Sequence, residues 1–199
     1  KKTAAERGRL LNKIGLLIER KFEKFSLIES IDVGKPLSQA KADVSALIRY
    51  LEFYAGAADK LHGETIPYLD GYTVYSIREP HGVTAHIIPW NYPLQIIGRS
   101  VVGSLAVGNS VVLKPSEEAC LTALAFADIC LEAGLPKGTL NVIPGLGRQA
   151  GKSLAEHEGI NHISFTGSFS TGQAIQRSAS IHVKPVTLEL GGKSPQIVF

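Results

Sequence analysis

A single carboxylate near the end of the chain is the first residue whose setting could do chemistry. Glu189 lies between Leu188 and Leu190, in an apolar, strand-like run that ends at Gly191-Gly192. Burial raises the pKa of a carboxyl group towards neutrality, which is what a general base requires. The two glycines would let another backbone or a flat ligand approach closely. An edge strand whose glutamate simply points into solvent is an equally weighted alternative.

An asparagine held between two prolines is the second candidate. Asn91 stands in the sequence Pro89-Trp90-Asn91-Tyr92-Pro93, and proline restricts the backbone on both sides of it. A carboxamide fixed in this way can donate a hydrogen bond to a developing oxyanion. Asparagine is also a common N-cap, so a purely capping role at the helix that opens on Pro93 is the competing interpretation.

Polar residues and glycines that follow other strand-like runs suggest a dinucleotide site. In Lys114-Pro115-Ser116-Glu117 the lysine and the glutamate could both hydrogen-bond ribose hydroxyls. An acidic residue there favours NAD, because it would repel the 2′-phosphate of NADP; a Ser116 cap is the alternative. Backbone N–H groups between Gly167-Ser168 and Gly172, and at Gly145, could meet a pyrophosphate, although the spacing differs from G-x-G-x-x-G.

The elements that must position these residues alternate between strand and helix. The sequence predicts strands at 83–88, 110–113, 139–143, 162–165 and 186–190, and helices at 94–107, 119–133, 148–157 and 171–180. Short apolar strands separated by helices are typical of a parallel sheet covered on both faces. Such α/β folds bind ligands at the carboxyl ends of their strands, where the candidates above lie.

Two N-terminal helices are expected before this alternation. Thr3 and Glu6 form a T-x-x-E capping box, which predicts an amphipathic helix running to about Ser30. Gly34-Lys35-Pro36 then breaks the chain. A second helix is predicted from about residue 38 to 61, with His62-Gly63 as its C-terminal stop.

A hairpin is expected between these helices and the sheet. From Glu64 to Pro80 the hydrophobic period changes to two, and Asp70-Gly71 predicts a type I′ turn. An isolated hairpin is marginally stable and has exposed edges, so a contact with another subunit is predicted.

Composition narrows the class of protein. The 199 residues are 44% hydrophobic and 20% charged, with a net charge of +3 dispersed along the chain, which argues against a nucleic-acid groove. No membrane span or signal segment is predicted. Cys120 and Cys130 have the spacing of neither a metal hook nor a redox pair and are interpreted as packed thiols. Two thiols without a disulfide framework fit a reducing, cytoplasmic setting best. The histidines are scattered along the sequence, so no metal site is predicted.

Four motifs in order, each at a predicted strand end, closely resemble the aldehyde dehydrogenase superfamily. They are Ile87-Ile88-Pro89-Trp90-Asn91, Leu113-Lys114-Pro115-Ser116-Glu117, Phe165-Thr166-Gly167-Ser168 and Leu188-Glu189-Leu190-Gly191-Gly192-Lys193-Ser194-Pro195. The resemblance covers essentially the whole chain, including the hairpin. It implies N-terminal helices of a cofactor-binding domain at 1–63, an oligomerisation hairpin at 64–81, a Rossmann-like NAD-binding domain at 82–190, and the start of a truncated catalytic domain at 191–199.

The resemblance also implies roles for individual residues. Asn91 matches the oxyanion-stabilising asparagine of the family, and Glu189 matches the base that activates water for thioester hydrolysis. Lys114 and Glu117 match the ribose-binding pair. The cofactor-binding residues implied in this way are Ile87, Ile88, Pro89, Trp90, Lys114, Ser116, Glu117, Gly145, Gly167, Ser168, Gly172, Leu190 and Gly191.

The activity implied is NAD-dependent oxidation of an aldehyde to a carboxylic acid through a cysteine thiohemiacetal and thioester, with NADP left open. The family's nucleophile lies downstream of the Glu189 motif, hence beyond residue 199, and Cys120 and Cys130 do not match it. A homodimer or homotetramer is implied. One rival is a non-catalytic dinucleotide-binding or structural protein. The other is an acylating or phosphate-dependent reductase, which Glu189 disfavours because hydrolysis needs a base.

Overall fold

The computed structural model describes residues 2–198 and has the predicted α/β architecture. Its helices are α1 (Ala4–Arg20), α2 (Phe22–Val33), α3 (Leu37–Ala57), α4 (Pro93–Ile96), α5 (Gly103–Ala106), α6 (Leu121–Ala133), α7 (Lys152–Glu156) and α8 (Phe169–Ser180). π-Helical segments join α4 to α5 and precede α7, at Ile97–Val102 and Gly147–Gly151. Its strands are β1 (Thr65–Ile66), β2 (Val74–Tyr75), β3 (Val83–Ile87), β4 (Ser110–Lys114), β5 (Leu140–Val142), β6 (His162–Gly167) and β7 (Val186–Leu190).

The last five strands form one parallel sheet in the order β5-β4-β3-β6-β7. All five predicted strands are therefore present, and the predicted parallel sheet is confirmed. The chain leaves β3 first towards β4 and β5, and then returns to the other side of β3 to form β6 and β7. This reversal opens a crevice at the carboxyl end of β3, which is where ligands bind in doubly wound folds.

Two hydrophobic cores lie on opposite faces of the sheet. Val111 and Leu113 of β4 pack with helices α1 to α6 on the front face. Ile163 and Phe165 of β6 pack with α7 and α8 on the back face. Because side chains alternate along a strand, each strand contributes to both faces.

The front face changes character across the sheet. Over β4 and β5 it is apolar and covered by helices, whereas over β3, β6 and β7 it carries polar side chains. These side chains are buried on β3 and become exposed towards the edge strand β7. We call the second part the open face; its side chains are Thr84, His86, Ser164, Thr166, Thr187 and Glu189. Strands buried on both faces read as continuous apolar runs, so this polar alternation distinguishes β3, β6 and β7 from the apolar β4.

The N-terminal helices differ from the prediction. The capping box at Thr3 is confirmed, but the single helix predicted to about Ser30 is two helices, because Lys21 leaves the helical conformation (φ −109°, ψ 22°). The change of direction lets α2 bury Phe25. Helix α3 ends at Ala57 rather than at residue 61, so His62-Gly63 do not form its stop.

The hairpin is present but shorter than predicted. Strands β1 and β2 are antiparallel, with Thr65 opposite Tyr75, and their ladder ends at Ile66 and Val74. The type I′ turn at Asp70-Gly71 is wrong. Such a turn needs positive φ at both residues. Gly71 has a φ of 84°, but the φ of Asp70 is not positive.

The end of the described chain forms no regular structure. Residues 191–198, where the start of a catalytic domain is expected, form neither helix nor strand, and Phe199 lies outside the described residues. Within residues 2–198 no helix is long and apolar enough to cross a membrane.

Candidate functional site

Two adjoining cavities bring the two predicted catalytic residues into one cleft. The first cavity, of about 230 Å³, is lined by Asn91. The second, of about 480 Å³, lies over the open face and is lined by Glu189. Arg99 and Thr166 line both cavities, so they form the boundary between the asparagine and the glutamate. We call these two cavities together the cleft.

Asn91 follows β3 at the crevice where the chain reverses direction. Helix α4 begins at Pro93, its N-cap position is Tyr92, and no side chain caps it. The capping alternative for Asn91 is therefore not found. Its side chain is exposed, and among residues 2–198 the carboxamide makes no hydrogen bond, which leaves it able to donate to a ligand in the cleft.

Glu189 lies on β7, the edge strand of the sheet, opposite Thr166 of β6. Its side chain is exposed, so of the two equally weighted alternatives the structure shows the exposed glutamate on an edge strand, and the burial of Glu189 is not found among the described residues. The physical reason is strand alternation: Leu188 and Leu190 pack against the back-face core, and the residue between them must point to the front. The carboxylate therefore faces the cleft.

Lys114 and Glu117 form a pair at the carboxyl end of β4. The Lys114 Nζ lies 2.9 Å from Glu117 Oε2; the lysine side chain is 3% exposed and the glutamate 41%. The second oxygen of Glu117 accepts the N–H of Gly147 at 3.4 Å. The hydrogen bond from Lys114 is the main cause that lowers the pKa of Glu117 to about 2. The ammonium is thus hidden behind the carboxylate, and only Glu117 is presented to solvent.

The predicted phosphate turn after β6 is tightly packed. A Cβ on Gly167 would lie 2.5 Å from the Phe165 ring, and one on Gly172 would lie 2.7 Å from a Leu190 methyl group. Ser168 caps α8 by accepting the N–H of Thr171 at 3.3 Å. The glycines therefore bring the first turn of α8 close to the sheet, with its N–H groups at the carboxyl end of β6.

The other predicted cofactor residues divide into buried and open positions. Ile87 and Ile88 are 8% and 4% exposed and belong to opposite cores, so their side chains are occupied by packing. Trp90 is 56% exposed. The remaining positions are Pro89, Ser116 and Leu190, which are half-buried, and Gly145 and Gly191, which lie at the ends of β5 and β7. The Ser116 hydroxyl accepts the N–H of Glu118 at 3.4 Å, so it shapes its turn.

The two cysteines lie away from the cleft. Cys130 is fully buried in α6, and burial raises the pKa of its thiol. Cys120 is half-buried at the start of the same helix. Neither lines the cavities that hold Asn91 and Glu189, so the interpretation of both as packed thiols agrees with their positions.

Three histidines that looked scattered in the sequence meet beside the open face. His81 stacks on His162 with ring centroids 4.9 Å apart, and both line the second cavity with His86. Burial, aided by the nearby His162, lowers the pKa of His86 to about 4. Within residues 2–198 no group of three or more His, Cys, Asp or Glu side chains is placed to hold a metal ion.

Sequence reasoning missed the remaining walls of the first cavity. Tyr92, Gln95 and Arg99 line it beside Asn91. Residues 91, 95 and 99 are spaced by four, and this helical period could have revealed the shared face. Gln95 donates to Asp43 Oδ1 at 2.7 Å, so its position depends on a residue of α3 that is distant in sequence.

A buried charge network supports this wall. Lys35 Nζ lies 2.9 Å from Glu29 Oε1 and 2.6 Å from Asp43 Oδ2. It also lies 4.5 Å from the centre of the Tyr92 ring, as in a cation–π contact. Gln39 donates to the Tyr92 hydroxyl at 2.6 Å. These contacts tie α2 and α3 to the segment that follows β3.

Comparison with known proteins finds aldehyde dehydrogenases, the family that the four sequence motifs resemble. The model of the aldehyde dehydrogenase family matches residues 1–199. The chain is 46% identical over 196 residues to hydroxyisobutyraldehyde dehydrogenase of Mycolicibacterium austroafricanum, covering 98% of this chain and 39% of that protein. It is 46% identical to mouse retinal dehydrogenase 2 over 198 residues, covering 98% and 38%. The chain thus spans about two fifths of the length of these curated relatives.

Solved structures share the fold. A Burkholderia cenocepacia protein assigned as an aldehyde dehydrogenase superposes with a TM-score of 0.97 at 59% identity, covering 99% of this chain and 41% of that one. The NAD⁺ complex of an aldehyde dehydrogenase from Bacillus cereus superposes with a TM-score of 0.96 at 42% identity, covering 100% and 40%.

Proposed function

This chain belongs to the aldehyde dehydrogenase family, and we propose that it forms the cofactor-binding part of a protein that oxidises an aldehyde to a carboxylic acid with NAD. The observation that carries the proposal is the cleft. It presents an unengaged carboxamide at Asn91 and an exposed carboxylate at Glu189 on either side of Thr166 and Arg99.

The residues of this chain fit a dinucleotide at the carboxyl end of the sheet. Glu117 offers an exposed carboxylate that accepts hydrogen bonds from ribose hydroxyls, and it disfavours a 2′-phosphate. The N–H groups at the start of α8 suit the pyrophosphate. Trp90 offers an exposed ring near the end of β3, whereas the buried Ile87 and Ile88 contribute through their main chain. When bound, NAD supplies the acceptor for the hydride that the aldehyde carbon loses.

Within the proposed reaction this chain stabilises one negative charge and removes one proton. A cysteine thiolate from the part of the protein outside this chain adds to the carbonyl carbon, and Asn91 donates a hydrogen bond to the oxygen that becomes negative. After oxidation the acyl group is a thioester. Glu189 takes a proton from water, the resulting hydroxide attacks the thioester carbon, and the carbon–sulfur bond breaks to release the acid and the thiolate.

Assembly is proposed to involve the hairpin. Its exposed apolar side chains are Ile66, Tyr68, Leu69, Tyr72, Tyr75 and Ile77. Because burial of such a surface stabilises association, we propose a homodimer or homotetramer built through residues 64–81. The proposed domain division places residues 1–63 and 82–190 in one cofactor-binding domain, with residues 191–199 leading into a catalytic domain, and the compartment proposed is the cytoplasm.

Replacing Glu189 tests the proposed chemistry in the full-length protein. Glu189→Gln keeps the shape of the side chain but cannot take a proton. The first turnover should still produce NADH, while steady-state turnover should fall about 10²- to 10⁴-fold, since only thioester hydrolysis needs the base. Stopped-flow absorbance separates the two phases.

Glu158→Gln, at an exposed site outside the cleft, is the matched control. Full steady-state turnover in Glu189→Gln would remove the assigned role. Intact NAD binding without any NADH formation in the wild-type protein would favour the non-catalytic alternative.

A further inference from the structure

The first cavity contains a charge that the proposed reaction does not use. Arg99 is the charged side chain among the residues that line it. It is exposed, and among residues 2–198 its guanidinium forms no ion pair within 4.0 Å. A guanidinium has five donors arranged as a planar fork. This fork is therefore open to a ligand in the cleft.

The neighbouring carboxylates are already engaged or too distant. Asp43, behind the wall, holds Lys35 and Gln95. Glu189 lines the second cavity together with Arg99, but the two are not paired. The charge of Arg99 is consequently not neutralised from within the described residues.

The backbone that carries Arg99 is held in place. The Tyr54 hydroxyl donates to the Arg99 carbonyl at 3.1 Å. The Ser100 hydroxyl donates to the Ile96 carbonyl at 2.8 Å within the π-helical segment. A side chain on a fixed backbone loses less freedom when it binds a ligand, so Arg99 is placed as a recognition residue.

We infer that the substrate is an aldehyde that carries a carboxylate at its other end. The inference rests on the proposed function, because it assigns Asn91 to the carbonyl oxygen and Arg99 to the distal anion. Arginine binds carboxylates through two parallel hydrogen bonds, which gives orientation as well as affinity. The polar side chains of Tyr92 and Gln95 beside it suit such a substrate better than a long apolar one. The same charge repels aldehydes with an ammonium end.

A substrate series with the full-length protein tests this directly. kcat/KM is measured for succinic and glutaric semialdehydes, for their methyl esters, and for butanal. The wild-type protein should prefer at least one semialdehyde over its ester. Arg99→Gln should lower kcat/KM for that semialdehyde about tenfold or more, by loss of a charge-assisted contact, and leave the ester and butanal unchanged. Arg99→Lys should recover part of the loss because it keeps the charge.

The matched control is Arg177→Gln, an exposed arginine of α8 that does not line the cleft. It should leave every ratio unchanged. A wild-type protein without preference for either acid, or an Arg99→Gln variant that loses acid and ester equally, would overturn the inference while leaving aldehyde oxidation intact.

A binding measurement separates the inference from the proposed function. Calorimetry with succinate should show binding to the wild-type protein that is weakened about tenfold or more in Arg99→Gln. This result would stand even if no aldehyde were oxidised, an outcome that would reject the proposed function alone. Equal succinate binding by both proteins would reject anion recognition by Arg99.

Discussion

Two lysine–glutamate pairs of equal length have opposite properties in this molecule. Lys35–Glu29 and Lys114–Glu117 both have an N–O distance of 2.9 Å. The Glu29 side chain is 0% exposed and Glu117 is 41% exposed. Burial raises the pKa of Glu29 despite its lysine, whereas the hydrogen bond from Lys114 lowers the pKa of Glu117 to about 2. The same pair of residue types thus forms a core anchor in one place and presents a carboxylate to solvent in the other.

The difference follows from what surrounds each pair. Lys35 also holds Asp43 and lies over Tyr92, so its charge organises a buried junction. Burial opposes the charged form of Lys35, but Asp43 and Glu29 together raise its pKa. Glu117 stands at a strand end with one face in solvent, where the desolvation that opposes its charged form is small and the carboxylate stays accessible. Three changes would break or sharpen this comparison.

Removal of the buried lysine should have the largest effect. Lys35→Met leaves Glu29 and Asp43 buried without a counter-charge, which typically costs about 3–5 kcal/mol. Urea unfolding of the full-length protein should show a loss of that size. The control Lys41→Met breaks the exposed pair with Glu23 and should change stability by about 0–1 kcal/mol. Equal losses in the two variants would mean that burial does not distinguish the pairs.

Removal of the presented carboxylate should mainly weaken the binding of NAD. Glu117→Gln keeps the size of the side chain but weakens its hydrogen bonds to ribose hydroxyls, so the Kd for NAD should rise about tenfold. The variant also leaves the buried Lys114 ammonium without a counter-charge, so some stability should be lost. The loss should be smaller than in Lys35→Met, because the amide oxygen of Gln can still accept the hydrogen bond of Lys114. Glu118→Gln, the adjacent exposed glutamate, is the control. Unchanged NAD affinity in Glu117→Gln, measured by calorimetry, would contradict the ribose assignment.

The smallest expected effect is a difference in the sign of the pH dependence of stability. The folded-state pKa of Glu29 is raised above the ordinary 4.5, so its favourable contribution is present below that value and is lost as the pH rises through the folded pKa. The pKa of Glu117 is lowered to about 2, so its contribution is present above pH 4.5 and is lost as the pH falls.

Unfolding free energies of Glu29→Gln and Glu117→Gln relative to wild type should therefore change in opposite directions with pH. Relative to wild type, Glu29→Gln should gain stability as the pH rises above about 4.5. Glu117→Gln should gain relative to wild type as the pH falls below about 4.5, by a smaller amount because the group is exposed to solvent. Parallel curves for the two variants would show that the pairs titrate alike.

Much of the fold is encoded locally, and the sequence was sufficient to predict it. The capping box at Thr3 and the five strands of the sheet depend on neighbours a few residues away, through side-chain capping and hydrophobic alternation. Parallel topology then places residues after each strand at one edge, so the approximate location of Asn91 and Glu117 follows from their position in the chain. The hairpin turn could not be predicted from Asp70-Gly71, because the ladder already ends at Ile66 and Val74 and the loop between them is not held to the geometry of a two-residue turn.

Only the tertiary structure decided which charges are buried and which are presented. The sequence left Glu189 equally balanced between a buried and an exposed position, and its place on the edge strand β7 makes it exposed. Nothing local to Arg99 indicates that it shares a cleft with Glu189, or that Lys35 lies between Glu29 and Asp43. The energy of a charge depends on its desolvation and on partners brought from distant segments. Residue types therefore determined the possible chemistry of this chain, and packing determined where each group can perform it.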